Sequence, residues 1–163
     1  MATSSHLIRS AGLAGYAEVA RFAGLDPHAM LRNAGLPRRC LDQPDALISM
    51  EAACKLLDQS AAAAGMEDFG LRMAATRRIS NLGPVLLVMR QERTALGALR
   101  TLLNYNRLLN DALQAHIEQD QDLVLIREEL VVNSSVPTRQ SMELTVGVMV
   151  QVLIMPVMLI GWG

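Results

Sequence analysis

The chain has 163 residues, of which 51% are hydrophobic and 19% charged, and its formal net charge at pH 7 is -1. This length and composition predict one globular domain with ample apolar material for a core. The near-neutral charge and the scattered arginines argue against a broad phosphate-binding surface. Cys40 and Cys54 lack a C-x-x-C pair or a histidine cluster, so no disulfide framework or metal site is indicated. With no signal peptide evident, we expect a cytoplasmic protein.

The tripeptide Ala-Gly-Leu occurs three times near the N-terminus, at 11–13, 23–25 and 34–36. Each glycine is typical of a helix stop, so we predict a helix over 10–23 and a short second helix that begins at Asp26-Pro27. Residues 16–36 therefore have helix–turn–helix spacing, and one interpretation is a DNA-binding module. Two short packing helices are favoured instead, because the second helix begins PHAM and offers few groups able to read base edges.

Two further helices are predicted before the middle of the chain. Residues 49–64 have Ser49 as an N-cap, and their apolar side chains share one face. A shorter helix is predicted within 66–78, and it ends in two arginines, Arg77 and Arg78.

The stretch 82–110 predicts two successive helices whose apolar faces need most of the remaining chain to cover them. Ser80 or Asn81 caps the first, which has Pro84 in its first turn and runs to about residue 92. Thr94 caps the second, in which leucines recur at helical spacing and charged side chains fall on the opposite side.

From residue 112 the pattern changes to an alternation of apolar and polar residues, and a second apolar run follows the turn at 120–122. This predicts an antiparallel hairpin. A final helix contains 144–162, which carry no charge and are long enough to cross a bilayer, so a membrane-anchored helical protein is one interpretation. Gln151, Pro156 and the lack of flanking basic residues favour a helix buried in a core or at a dimer interface. The elements together predict an α+β fold, a mainly helical domain with a small antiparallel sheet.

Five segments, in order and spacing, resemble the N-terminal sensor domain of AraC-type transcriptional regulators of the arabinose-binding-domain type. They are AGLDPHAMLRNAGLP, LDQPDALISMEAACKLLDQSA, FGLRMA, ISNLGPVLLVMRQERTALGALRTLLNYNRLLNDAL and EQDQDLVLIREEL. The resemblance covers about residues 7–162. It implies a domain that binds a small-molecule effector and forms a homodimer, while a separate C-terminal domain with two helix–turn–helix units binds DNA. The corresponding last segment in the family is an internal helix of a soluble protein, so no membrane partner is expected.

On this resemblance, residues 1–163 form one sensor and dimerisation domain, a fragment without the C-terminal DNA-binding domain. We therefore expect no sequence-specific DNA binding by this fragment itself. We also expect no enzymatic activity, cofactor or metal, because the three histidines are far apart and no serine elbow, phosphate loop or metal-ligand spacing occurs.

The ligand class follows from composition. Aromatic residues make up only 3% of the chain, which argues against a sugar site, since such sites usually stack rings on the ligand. Ten methionines would suit a deformable pocket for an apolar ligand, although core filling is the favoured use of most of them.

A candidate ligand site lies around Arg77 and Arg78, which are close in sequence to the N-terminus of the next helix. Helix N-termini and guanidinium groups both attract anions, so an amphiphilic effector could place its acid group here. The alternative is that both arginines are solvated and merely satisfy nearby helix carbonyls. The apolar body would lie among residues of the two central helices and the final helix. The predicted ligand-binding residues are Arg77, Arg78, Asn81, Met89, Leu99, Leu103, Tyr105 and Asn106.

Overall fold

The computed structural model describes residues 6–159 of the chain. In chain order, the elements within that range are β1 (Leu7–Arg9), α1 (Tyr16–Phe22), α2 (Pro27–Asn33), β2 (Leu47–Ser49), α3 (Met50–Ala64), α4 (Phe69–Thr76), α5 (Pro84–Met89), α6 (Ala95–Asn104), β3 (Leu113–Asp120), β4 (Leu123–Leu130) and α7 (Arg139–Leu159). The domain is mainly helical with small antiparallel sheets, which confirms the predicted α+β class.

Side-chain caps start three of the helices where the sequence predicts them. The carboxylate of Asp26 accepts a hydrogen bond from the His28 backbone N–H at the start of α2. The hydroxyls of Ser49 and Thr94 accept hydrogen bonds from backbone N–H groups in the first turns of α3 and α6. Each cap satisfies a donor that the helix itself leaves without a partner.

Three predicted helix boundaries were wrong. The helix predicted over 10–23 is a short 3-10 turn, Ser10–Leu13, followed by α1. Gly15 separates them with a φ of 83°, and a Cβ atom there would collide with the Thr76 hydroxyl. The first helix of the central pair ends at Met89 rather than near residue 92. The second ends at Asn104, before the end of the stretch 82–110 from which the pair was predicted.

The strands within residues 6–159 form two sheets, each two-stranded and antiparallel. The predicted hairpin is confirmed: β3 and β4 pair from Leu113 with Leu130 to Asp120 with Leu123. The β1–β2 pair, in which Ile8 is opposite Ile48, was not predicted. Ile8 also forms a bridge with Asn110, so the N-terminal strand is tied to the segment that follows α6.

The buried apolar residues form two clusters, here called the first and the second cluster. The first lies among α1 to α4, the strand ends and the start of α7, and includes Tyr16, Leu31 and Phe69. The second joins α5 and α6 to the later part of α7. Helix α7 serves both, since Leu144 belongs to the first cluster and Val152 to the second. Helices α1 and α2 therefore act as packing helices of the first cluster.

Helices α4 and α7 cross with their backbones in close approach. A Cβ atom at Gly70 would collide with the backbone carbonyl oxygen of Gln140. The Gln140 side chain accepts a hydrogen bond from the Gly70 N–H at 2.8 Å and donates one to the Glu67 carbonyl at 2.7 Å. The amide of Gln151 donates to the Ala74 carbonyl at 2.6 Å. These contacts fix α4 against α7 at both the first and the last turn of α4.

The outer side of α7 exposes three apolar residues at intervals of four, Val146, Val150 and Ile154, here called the α7 stripe. Each is close to half exposed. Among residues 6–159, no helix combines the length and apolar character that a bilayer crossing requires. Residues 160–162 of the predicted apolar segment lie outside the described residues.

Candidate functional site

A largely apolar cavity of about 110 Å³ lies where residues of the two clusters meet. Its walls come from the N-terminal segment, α3, the segment between α4 and α5, the segment around the end of α6, and α7. The apolar lining consists of Ile8, Ala11, Leu13, Met50, Ala53, Leu57, Leu82, Leu102, Leu109, Leu113, Leu144, Val148 and Met149. The polar side chains in the lining are Arg9, Arg77, Asn81, Asn106, Asn110, Ser141 and Thr145.

The structure brings three of the predicted ligand-binding residues to this cavity: Arg77, Asn81 and Asn106. Asn106 is buried, and its amide donates a hydrogen bond to the Leu113 carbonyl at 2.6 Å. The Asn81 side-chain oxygen accepts a hydrogen bond from the Arg78 backbone N–H at 2.9 Å. Both amides are thus held in place by the backbone around them.

The other five predicted residues are not among the described residues that line the cavity. Met89 and Leu99 are fully buried in the second cluster, and Leu103 packs against it. Tyr105 is 41% exposed, and Arg78 is exposed beside a smaller pocket. The apolar faces of α5 and α6 therefore pack mainly on each other and on α7, and Leu102 is the described residue of these two helices that lines the cavity.

Arg77 follows directly after α4, and its guanidinium reaches across to the N-terminal segment. Its Nη1 donates a hydrogen bond to the Gly12 carbonyl at 2.9 Å. Among residues 6–159, no carboxylate lies within ion-pairing distance of this guanidinium. Burial lowers the pKa of Arg77 to about 10, so the group stays protonated at neutral pH. Arg78 is exposed, whereas Arg77 is partly buried and donates to a carbonyl of the 3-10 turn Ser10–Leu13.

Arg9, the second cation in the lining, differs from Arg77 in having a carboxylate partner. Its guanidinium forms an ion pair with Asp45 at the surface. The charge of Arg9 is thus already compensated within the domain.

The hydroxyl of Ser141 is a polar group of the lining that sequence reasoning missed. Ser141 is 3% exposed, and its oxygen has no hydrogen-bond partner of normal geometry in the described part of the chain. The thiol of Cys54, a weak hydrogen-bonding group whose pKa is raised by burial, is close by. The signal was present, because Ser141, Leu144, Thr145 and Val148 recur at helical spacing and share one face of α7.

This arrangement is suited to holding a small molecule. Arg77, Asn81 and Leu82 of the predicted anion site line the cavity, whereas the first residues of α5 are not among the described lining residues. The cationic groups of the lining are the guanidinium groups of Arg9 and Arg77. Within the described range, no group of histidine, cysteine, aspartate and glutamate side chains is arranged to hold a metal ion.

Residues 24–155 match the family model for the N-terminal arabinose-binding domain of AraC transcription regulators. The chain belongs to this family. The match confirms the resemblance described above and identifies the chain as part of a transcription regulator. Arg77, Asn81, Asn106 and Ser141 all lie within the matched residues, whereas Gly12 precedes them.

A curated relative supports the same assignment. The HTH-type transcriptional regulator VirS of Mycobacterium tuberculosis, from strains CDC 1551 / Oshkosh and ATCC 25618 / H37Rv, is 36% identical to the chain over 99 residues. The aligned segment covers 61% of this chain and 29% of VirS. The aligned part of the chain therefore spans less than a third of that regulator's length.

Proposed function

We propose that this domain binds a small apolar or amphiphilic effector in the cavity and thereby controls a C-terminal helix–turn–helix domain of a cytoplasmic transcription regulator. The observation that carries the proposal is the cavity itself, which is largely apolar, holds a few fixed polar groups and opens partly to the surface. Concave, mostly apolar pockets with a small number of convergent polar groups are the usual form of small-molecule sites. The domain acts by binding rather than by catalysis.

The chemistry of the lining supports an apolar ligand over a sugar. No aromatic side chain is among the described residues that line the cavity. A sugar carries many hydroxyl groups, each of which would need a hydrogen-bond partner in the cavity. The described lining also has no aromatic ring on which the apolar face of a sugar could stack. Aliphatic walls suit an aliphatic body instead.

The volume limits the size of the effector. An apolar cavity of about 150 Å³ in another protein holds benzene. The cavity here, at about 110 Å³, therefore fits a molecule of that size or slightly smaller. A ligand of about four to six carbon atoms satisfies this limit.

We further propose that the domain forms a homodimer through the α7 stripe. Val146, Val150 and Ile154 expose apolar surface on one side of the same helix whose other side walls the cavity. Exposed apolar patches of this kind mark interaction surfaces. A symmetric dimer would present two DNA-binding domains to two half-sites, and DNA would be contacted only through those domains.

The test of the effector site is a cavity-filling substitution with a control on the same helix. Ala53 lines the cavity and is buried, whereas Ala62 is exposed. We expect saturating small apolar compounds to raise the Tm of the parent protein by about 5–10 °C, the shift that a ligand at about 100 times its Kd gives a chain of this size. Ala53→Leu should abolish that shift by occupying the same space, and Ala62→Leu should retain it.

Two results of this experiment would contradict the proposal. One is the absence of a shift with every compound of four to six carbon atoms. The other is an equal shift in the parent protein and in Ala53→Leu, since ligands would then bind outside the cavity.

A further inference from the structure

We propose that the effector is a small monocarboxylic acid and that Arg77 binds its carboxylate inside the cavity. This inference rests on the proposed function of the cavity and names the chemical class of its ligand. Of the two arginines predicted from the sequence, it assigns carboxylate binding to Arg77 and not to Arg78.

The first step concerns the unused hydrogen-bonding capacity of Arg77. A guanidinium has five N–H donors, and within the described part of the chain the hydrogen bond of Arg77 goes to the Gly12 carbonyl. Arg77 is partly buried, and a charge withdrawn from water is unfavourable unless it is paired and hydrogen-bonded. A carboxylate supplies both, because its two oxygens can accept parallel hydrogen bonds from one guanidinium.

The second step concerns the sign of the charge inside the cavity. Two cations, Arg9 and Arg77, are among the described lining residues, and no aspartate or glutamate is. Asp45 compensates Arg9 from the surface side, so the remaining positive charge is that of Arg77. Such a lining favours an anionic ligand over a neutral or cationic one.

The third step concerns the direction in which the ligand lies. Arg77 also lines a smaller pocket with Gln151 and Val152, which places it toward the later part of α7. The cavity lining on α7 extends back to Ser141, about 10 Å from Val148 at the rise of an α-helix. The acid group would therefore sit at one end, with its aliphatic chain along α7 toward Ser141.

The test compares acids with alcohols of equal chain length. Thermal unfolding of the full chain would be followed with butanoate, hexanoate and octanoate, and with 1-butanol, 1-hexanol and 1-octanol. We expect the acids to raise the Tm more than the alcohols, with the largest effect at four to six carbon atoms, which the cavity volume allows. Arg77→Met should lower acid affinity by about 10- to 100-fold and leave alcohol affinity unchanged. Arg78→Met, the matched control, should respond as the parent protein does.

The outcomes separate this inference from the proposed function. Equal shifts with acids and alcohols in the parent protein would overturn the carboxylate assignment while the cavity kept its function. An acid-specific shift that survives Arg77→Met would overturn the role of Arg77. No shift with either series would overturn both proposals. If Arg77→Met does not fold, Arg77→Lys keeps the charge but not the paired donors, and an unchanged acid affinity in it would overturn bidentate binding.

Discussion

Replacement of Gly70 by alanine tests the close crossing of α4 and α7, on which the position of Arg77 depends. The added Cβ atom would collide with the Gln140 carbonyl oxygen, and it would lie 2.9 Å from the Gln140 carbonyl carbon and 3.2 Å from the Leu144 nitrogen. These are all backbone atoms of α7. Because a backbone cannot rotate away as a flexible side chain can, the two helices have to separate.

The size of the effect follows from three contributions. Overpacking of a tight site costs about 1–3 kcal/mol. Separation of the helices also weakens the buried hydrogen bond from the Gly70 N–H to Gln140, worth about 1 kcal/mol net. The higher helix propensity of alanine stabilises the folded state by about 1 kcal/mol and so offsets part of these two costs. We expect Gly70→Ala to lower the free energy of unfolding by about 1–3 kcal/mol, or the Tm by about 2–12 °C.

The assay is thermal and urea unfolding, with Gly97→Ala as the matched control. Gly97 is also helical, but the nearest atom to its added Cβ is the carboxylate of Glu92, the end of a flexible side chain that can move. We expect Gly97→Ala to change the free energy of unfolding by less than about 1 kcal/mol. If Gly70→Ala unfolds no earlier than Gly97→Ala, the reasoning about the helix crossing is refuted.

Two further predictions concern Glu128 and the α7 stripe. Glu128→Gln is expected to raise the Tm at pH 7 by about 2–4 °C, because both carboxylate oxygens are buried without a hydrogen-bond partner of normal geometry among the described residues. Burial raises the pKa of Glu128, because the folded state favours its protonated form. The parent protein therefore loses stability as the pH rises through that raised pKa. The Tm increase from Glu128→Gln should accordingly shrink as the pH is lowered toward about 4. An equal increase in Tm from Glu128→Gln at pH 7 and at about pH 4 would contradict this prediction. Val150→Asp is expected to convert a dimer to a monomer in light scattering, while Val88→Asp on α5 leaves it intact; a monomeric parent protein at micromolar concentration would rule out the dimer.

Elements with strong local signals were predictable from the sequence. Ser49 and Thr94 combine a capping hydroxyl with a following apolar period, and both helices begin where these residues stand. The alternation in β3 and β4 identifies the hairpin. The strands Leu7–Arg9 and Leu47–Ser49 are each three residues long, too short for any period to be recognised, and their pairing joins distant parts of the chain.

The candidate site was predictable only in part, because a periodic pattern shows that a face is buried but not what covers it. Met89 and Leu99 were assigned to the ligand, whereas the structure buries them against neighbouring helices. Arg77 could be nominated from its local sequence. Its partner Gly12 and the other lining residue Ser141 lie about 65 residues away on either side in sequence, and no local signal connects them with Arg77.

The position of α7 has a consequence for how the domain folds during synthesis. This helix packs on α3, α4, α6 and β4, all of which are made before it. Until residues up to about Val152 have left the ribosome, both apolar clusters lack one side and remain exposed to association with other chains. Contacts between distant parts of a chain also slow folding, since long loops must close first. The cavity and the completed core are therefore formed in the same late step.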